Sequence, residues 1–189
     1  MLFPEGSRKD PDPHAVAVLK QCLTTHHVEL KNQMSESEDL EKFAQALQEQ
    51  ILEQARREYS EAVIERWLNP RNMGKMESPD AYGKVTGTCG DTIEIFLRMR
   101  GDIIAEATWI TDGCGATVSC ATMATELSAG KTFTQALAAV STDAIINGLG
   151  GLPEGNLHCA QLASETLRSA LADFLHQQKS PWKKSYRKT

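Results

Sequence analysis

The chain has 189 residues, 41% of them hydrophobic, and a formal net charge of −5. That suffices for one well-buried core with an extension and is tight for two full domains. No run nears the ~20 apolar residues of a membrane helix, and Met1-Leu2-Phe3-Pro4-Glu5-Gly6 lacks the basic-then-apolar order of a signal peptide, so the expectation is a soluble cytoplasmic protein. The last thirteen residues hold five basic side chains and no acids, which leaves 15 basic against 25 acidic groups, or −10, over residues 1–176. An acidic body argues against a nucleic-acid binder, whose phosphate contacts need clustered Lys and Arg. The basic tail, 179–189, reads as a solvated terminus or, more sharply, as an electrostatic dock for an acidic partner.

In chain order, Asp12-Pro13 is a helix start, and Val16, Leu19, Leu23 and Leu30 follow at helical spacing. Cys22 and His26 would share a face of that helix, but no further thiol or acid completes a metal site there, so they read as packing or surface residues. Ser35 and Glu38 have capping-box spacing, and Leu40, Phe43, Leu47, Ile51, Ala55, Tyr59, Val63 and Trp67 continue a 3/4 repeat as far as Asn69-Pro70. The spacing predicts a helical hairpin, 13–31 against 38–68. A loop follows over 69–82, and then three short strands, 83–87, 91–99 and 103–110, with Arg100-Gly101-Asp102 as a turn. Four helices complete the chain, at 116–129, 132–140, 142–149 and about 158–177. The expected architecture is α+β: a small three-stranded antiparallel sheet covered by helices, with a helical hairpin ahead of it.

Five cysteines, an odd number without regular close spacing, argue against a disulfide framework and for metal or thiol chemistry. Three segments join small residues to a reactive group: Cys89-Gly90-Asp91, Gly113-Cys114-Gly115 and Leu157-His158-Cys159. In an extended segment Cys89 and Asp91 point to the same side. Cys114 and Cys159 fall at helix N-termini, where backbone N–H groups favour the thiolate. Three thiolates with a carboxylate or imidazole suit zinc, or iron with sulfide. Glycines beside two of the thiols let backbone approach a charged cluster. Cys120, mid-helix between Val118 and Ala121, reads as core.

Tyr59-Ser60-Glu61-x-Val63-Ile64, Asn69-Pro70-Arg71-Asn72-x-Gly74, Cys89-Gly90-Asp91, Gly113-Cys114-Gly115-Ala116, Thr125-Glu126 with Gly130-Lys131-Thr132, and Leu157-His158-Cys159 resemble, in order and interval, the NifU-like N-terminal or IscU-type iron–sulfur cluster assembly scaffolds. The resemblance covers residues 59–178 and leaves out 1–58 and the tail 179–189. It implies a non-enzymatic scaffold on which iron and desulfurase-derived persulfide sulfur form a transient [2Fe–2S] cluster for delivery to apo acceptor proteins. The implied site is Cys89, Asp91, Cys114, His158 and Cys159, with Cys159 as first sulfur acceptor and Asp91 as the weaker oxygen ligand that keeps the cluster labile. The implied partners are a cysteine desulfurase, apo iron–sulfur proteins and a frataxin-like regulator, with self-association open; Zn²⁺ is an expected occupant of the isolated protein. One departure matters. Where the family often has Leu-Pro-Pro-Val-Lys, the segment bound by a dedicated Hsp70-type chaperone, this chain has Leu152-Pro153-Glu154-Gly155-Asn156, which counts against use of that chaperone. Two other readings use the same residues: a zinc-dependent sulfurtransferase relaying persulfide through Cys159, and a structural zinc module that binds partner proteins.

Overall fold

A computed structural model of the chain describes residues 40–179. The chain divides into two compact units, Met1–Glu53 and Gln54–Thr189. In the first, residues 40–53 are helical, and Leu40, Phe43, Leu47 and Ile51 are exposed. The expected first arm of the hairpin, 13–31, lies outside the described residues, as do Cys22, His26 and residues 180–189.

In the second unit α1, residues 54–58, ends before Tyr59 and does not run on to Trp67 as the apolar spacing suggests. Ser60 adopts an extended backbone and caps a new helix, α2 (Glu61–Leu68), by accepting a hydrogen bond from the Val63 N–H. Its hydroxyl meanwhile donates to the Leu149 carbonyl. A serine that finds both partners gains more by capping than by continuing the helix. The apolar period survives the break because Val63 and Ile64 still face the core.

Strands β1 (Ala81–Thr86), β2 (Thr92–Arg100) and β3 (Ile103–Thr111) form one antiparallel sheet in the order β1-β2-β3. Ala81, Ile93, Ile95, Leu97, Ala107 and Trp109 are buried. Among the residues alternating with them, the Tyr82 hydroxyl and the Lys84 ammonium both bond Glu94. Period-2 patterning of this kind is what a sheet with one covered face requires.

The cover comes from α3 (Gly115–Ser128) and α6 (Leu157–Lys179), with α4 (Phe133–Ala139) and α5 (Thr142–Gly148) beside them. Helix α3 is buried nearly all round, as its run of Ala, Thr, Ser and Met allows. Helix α6 lies directly on β1: a β-carbon on Gly83 would stand 2.4 Å from the Thr166 carbonyl oxygen and 2.5 Å from the Ala170 nitrogen. Four charges tie α2 and the following loop to α3. Glu126 accepts from Arg66 and Arg71 at 2.9 Å each, and Arg71 reaches on to Glu65 at 2.5 Å. Asn72, at φ +59°, passes its carbonyl to the Trp109 N–H, which zips the loop onto β3. Among the described residues no helix is long and apolar enough to cross a membrane.

Candidate functional site

Asp91 leaves the β1–β2 turn, Cys114 ends the β3–α3 turn, and His158 and Cys159 open α6. The first turn is held by the Gly87 N–H on the Asp91 carbonyl and passes Gly90 at φ +93°, so it is not extended. The two-residue spacing therefore does not align Cys89 with Asp91. Cys89 is exposed, with its sulfur 3.6 Å from where a β-carbon on Gly87 would stand, while the Asp91 carboxylate turns to α3.

The β3–α3 turn is braced by Asp112 Oδ1, which accepts from the Thr92 N–H at 2.6 Å, and by the Thr111 hydroxyl, which bonds the Thr92 carbonyl and the Gly113 N–H. This sets Cys114 as the N-cap of α3, as the sequence leads one to expect. Burial pushes its thiol up, but hydrogen bonds from the Thr117 hydroxyl and from the N–H groups of Thr117 and Ala116 outweigh both burial and the Asp91 charge. The thiol ends below its ordinary value.

One hydroxyl joins the separated segments. Thr117 Oγ1, fully buried, lies 2.8 Å from Asp91 Oδ2, 3.4 Å from Cys159 Sγ and 3.6 Å from Cys114 Sγ. Its single proton serves one acceptor at a time, so the three compete for it, and the carboxylate is the nearest. Gly113 makes the contact possible, because a β-carbon there would stand 2.6 Å from Asp91 Oδ2 and 2.8 Å from Thr117 Cβ. Gly115 serves differently: the space beside it is filled by the Trp67 indole, whose ring would meet a β-carbon at 2.5 Å.

Cys159 is buried and its thiol is raised, by burial first and then by the charge of Cys114, against hydrogen bonds from Thr117 and Asn156. His158 Nε2 lies 3.5 Å from its sulfur, and a recess of about 120 Å³ between Thr86–Thr88 and Gln161–Glu165 opens beside the imidazole. Asn156 ends a 3-10 turn, Glu154–Asn156, and its Oδ1 accepts from the Tyr59 hydroxyl at 3.0 Å. Burial, then the charges of Cys114, Glu58 and Cys159, hold that phenol protonated. Cys120 lies fully buried in the core with its thiol strongly raised by burial, which fits its expected packing role.

The structure thus gathers Asp91, Cys114, His158 and Cys159 and leaves Cys89 on the rim. Among the described residues, no three Cys, His, Asp or Glu side chains are already closed to metal-binding distance. Thr117, Tyr59 and Asn156 escape a sequence reading. Thr117 could have been found as the residue one helical turn after Cys114; Asn156 stands where the family pattern has lysine.

Fold and site together define a small α+β domain that brings thiols, a carboxylate and an imidazole together from the β1–β2 turn, the β3–α3 turn and the start of α6. The profile described as NifU-like N terminal domain matches residues 58–181, and the chain belongs to that family. It is similar to the iron–sulfur cluster assembly scaffold protein IscU 1 of Archaeoglobus fulgidus, 38% identical over 120 residues that cover 63% of this chain and 78% of the relative. The scaffold protein IscU of Aquifex aeolicus is 36% identical over 124 residues, 64% of this chain and 78% of the relative. IscU of Azotobacter vinelandii is 33% identical over 124 residues, 63% and 95%. The crystal structure of the N-terminal part of a nitrogen-fixing NifU-like protein from Brucella abortus aligns with TM-score 0.50 over 62% of this chain and 94% of that one, at 17% identity, and so shares the fold.

Proposed function

We propose that the chain is a non-enzymatic scaffold on which iron and persulfide sulfur from a cysteine desulfurase are built into a transient [2Fe–2S] cluster, its cargo, for transfer to apo acceptor proteins. The observation that carries this reading is the convergence of Asp91, Cys114 and Cys159 on one buried hydroxyl, with His158 alongside, in a domain of the family to which named scaffolds belong. Two thiols with an imidazole form a set soft enough for iron and sulfide, and one carboxylate adds a harder, weaker partner suited to release. Cys89, exposed in the β1–β2 turn, is the remaining thiol of the proposed set.

For the first sulfur acceptor we propose Cys114 beside the expected Cys159. Cys114 is exposed and its thiol lies below the ordinary value, whereas Cys159 is buried and its thiol is raised, which supports Cys114 as the nucleophile presented to a visiting persulfide. Its thiolate would attack the outer sulfur of the donor, forming a new S–S bond as the donor leaves as a thiolate. Cys159 then joins as the cluster closes. A frataxin-like regulator and self-association remain part of the proposal. The Hsp70-type chaperone does not, because the segment it would read is coiled into a 3-10 turn and bonded to Tyr59 through Asn156.

Anaerobic reconstitution with iron, cysteine and a desulfurase should give the visible absorption of a [2Fe–2S] cluster and transfer it to an apo-ferredoxin. A protein that forms no cluster and keeps one tight zinc would overturn the scaffold reading in favour of the sulfurtransferase or the structural zinc module. Zinc in an untreated sample would not, since thiolate sites take it up when iron is absent.

A further inference from the structure

We propose that the Thr117 hydroxyl is a built-in competitor for Asp91: it holds the carboxylate in the metal-free protein, an incoming metal ion must take Asp91 from it, and bound metal is therefore held loosely. The inference deepens the reading of the same site and rests on it.

Three observations converge. Thr117 Oγ1 sits among the groups that would have to meet, at 2.8, 3.4 and 3.6 Å from Asp91, Cys159 and Cys114. Metal bonds to thiolate and carboxylate run ~2.0–2.3 Å, so the ligands must close by roughly 1 Å and the hydroxyl must leave their centre. Correspondingly, no three ligand side chains among the described residues are already closed on a metal position. The hydroxyl cannot drift out with its backbone, because Thr117 is fully buried on α3, whose own surface is almost wholly covered.

It does have a place to go. Threonine on a helix divides between two χ1 rotamers, one of which turns Oγ1 to a carbonyl in the preceding turn. Rotation would exchange the bond to Asp91 for one to the backbone and clear the centre. Asp91 Oδ2, left with the longer 3.4 Å contact to the Cys114 N–H, is then free to ligate. Gly113 keeps this exchange open by leaving no side chain between Asp91 and Thr117. Thr117 is thus a positioning residue, not a ligand, and it acts through Asp91.

The probe is Co²⁺, titrated into the full, reduced, metal-free chain and followed by its thiolate-to-cobalt absorption. T117V should bind Co²⁺ about 10–100-fold more tightly, the span given by a hydrogen bond to a charged acceptor, and release it more slowly to a chelator. T117S, which keeps the hydroxyl, should match the parent. In a D91A background T117V should bring no tightening, since the competitor has lost its object, and losing the hydroxyl's contacts to Cys114 and Cys159 can only weaken binding there. The inference is overturned if T117V binds no tighter or more weakly, if T117S tightens as T117V does, or if the gain persists without Asp91. Should T117V not fold, T117A must show the same tightening. C114S separates the two levels: if it leaves Co²⁺ binding unaltered, the metal lies elsewhere and the site reading and this inference fall together. If C114S abolishes binding while T117V binds no tighter, this inference alone falls.

Discussion

Cys114 and Cys159 contact the same hydroxyl, yet burial and local hydrogen bonds pull their thiols in opposite directions. Because Cys114 is lowered, its thiolate is present from a lower pH than that of an ordinary cysteine; because Cys159 is raised, its thiolate appears only at higher pH. Iodoacetamide labelling of the metal-free protein, read by peptide mass across a pH series, should therefore modify Cys114 before Cys159, whose rate rises later in pH. Cys120 should react only in denaturant. Earlier modification of Cys159 would remove Cys114 as the sulfur-accepting nucleophile. The sequence made Cys114 legible, because a small-residue turn ahead of a helix leaves its mark locally. Thr117 was not, since its importance arises only when α3, the β1–β2 turn and α6 approach one another. The same holds for Tyr59 and Asn156, whose partnership joins the bend after α1 to the turn before α6.

At the level of elements, the strands were readable because period-2 alternation follows directly from one covered face. The break at Ser60 was not, because the apolar repeat passes through it unaltered and only the distant Leu149 carbonyl makes capping the better choice. The Cys89 turn misled for a related reason: Gly90 at positive φ ends the alternation that two-residue spacing assumes. Close approach of α6 to β1 at Gly83 gives the fold its tightest joint, and Gly83→Ala should cost about 1–3 kcal/mol or more, as overpacking of a backbone contact does. Urea unfolding with an unchanged slope and a lowered midpoint would show it. An unaltered midpoint would mean that the helix stands farther from the strand than the Gly83 contacts indicate.

For the whole molecule, the hydrophobic core among the described residues draws on side chains from Tyr59 to Phe174, all within the second unit. The charge cluster of Glu65, Arg66, Arg71 and Glu126 likewise lies within the second unit. Removing residues 1–53 should therefore leave a cooperatively folding domain whose melting temperature moves by less than about 4 °C, the shift that about 1 kcal/mol produces at this size. A larger fall would mean that the first unit contributes to the stability of the second. Composition and motif order indicated a single core with an extension. They carried no information on the function of that extension, because its apolar residues Leu40, Phe43, Leu47 and Ile51 fit the helical period as well exposed as buried.

Trp67 rests its ring over Gly115, one residue from Cys114, while Trp109 is sealed in the core and donates its indole N–H to the Arg71 carbonyl. A coloured iron–sulfur cargo arriving at Cys114 would take up the emission of the nearer indole by energy transfer. If the proposed cargo binds at Cys114, quenching of Trp67 emission would report its loading, a consequence of packing against a single glycine.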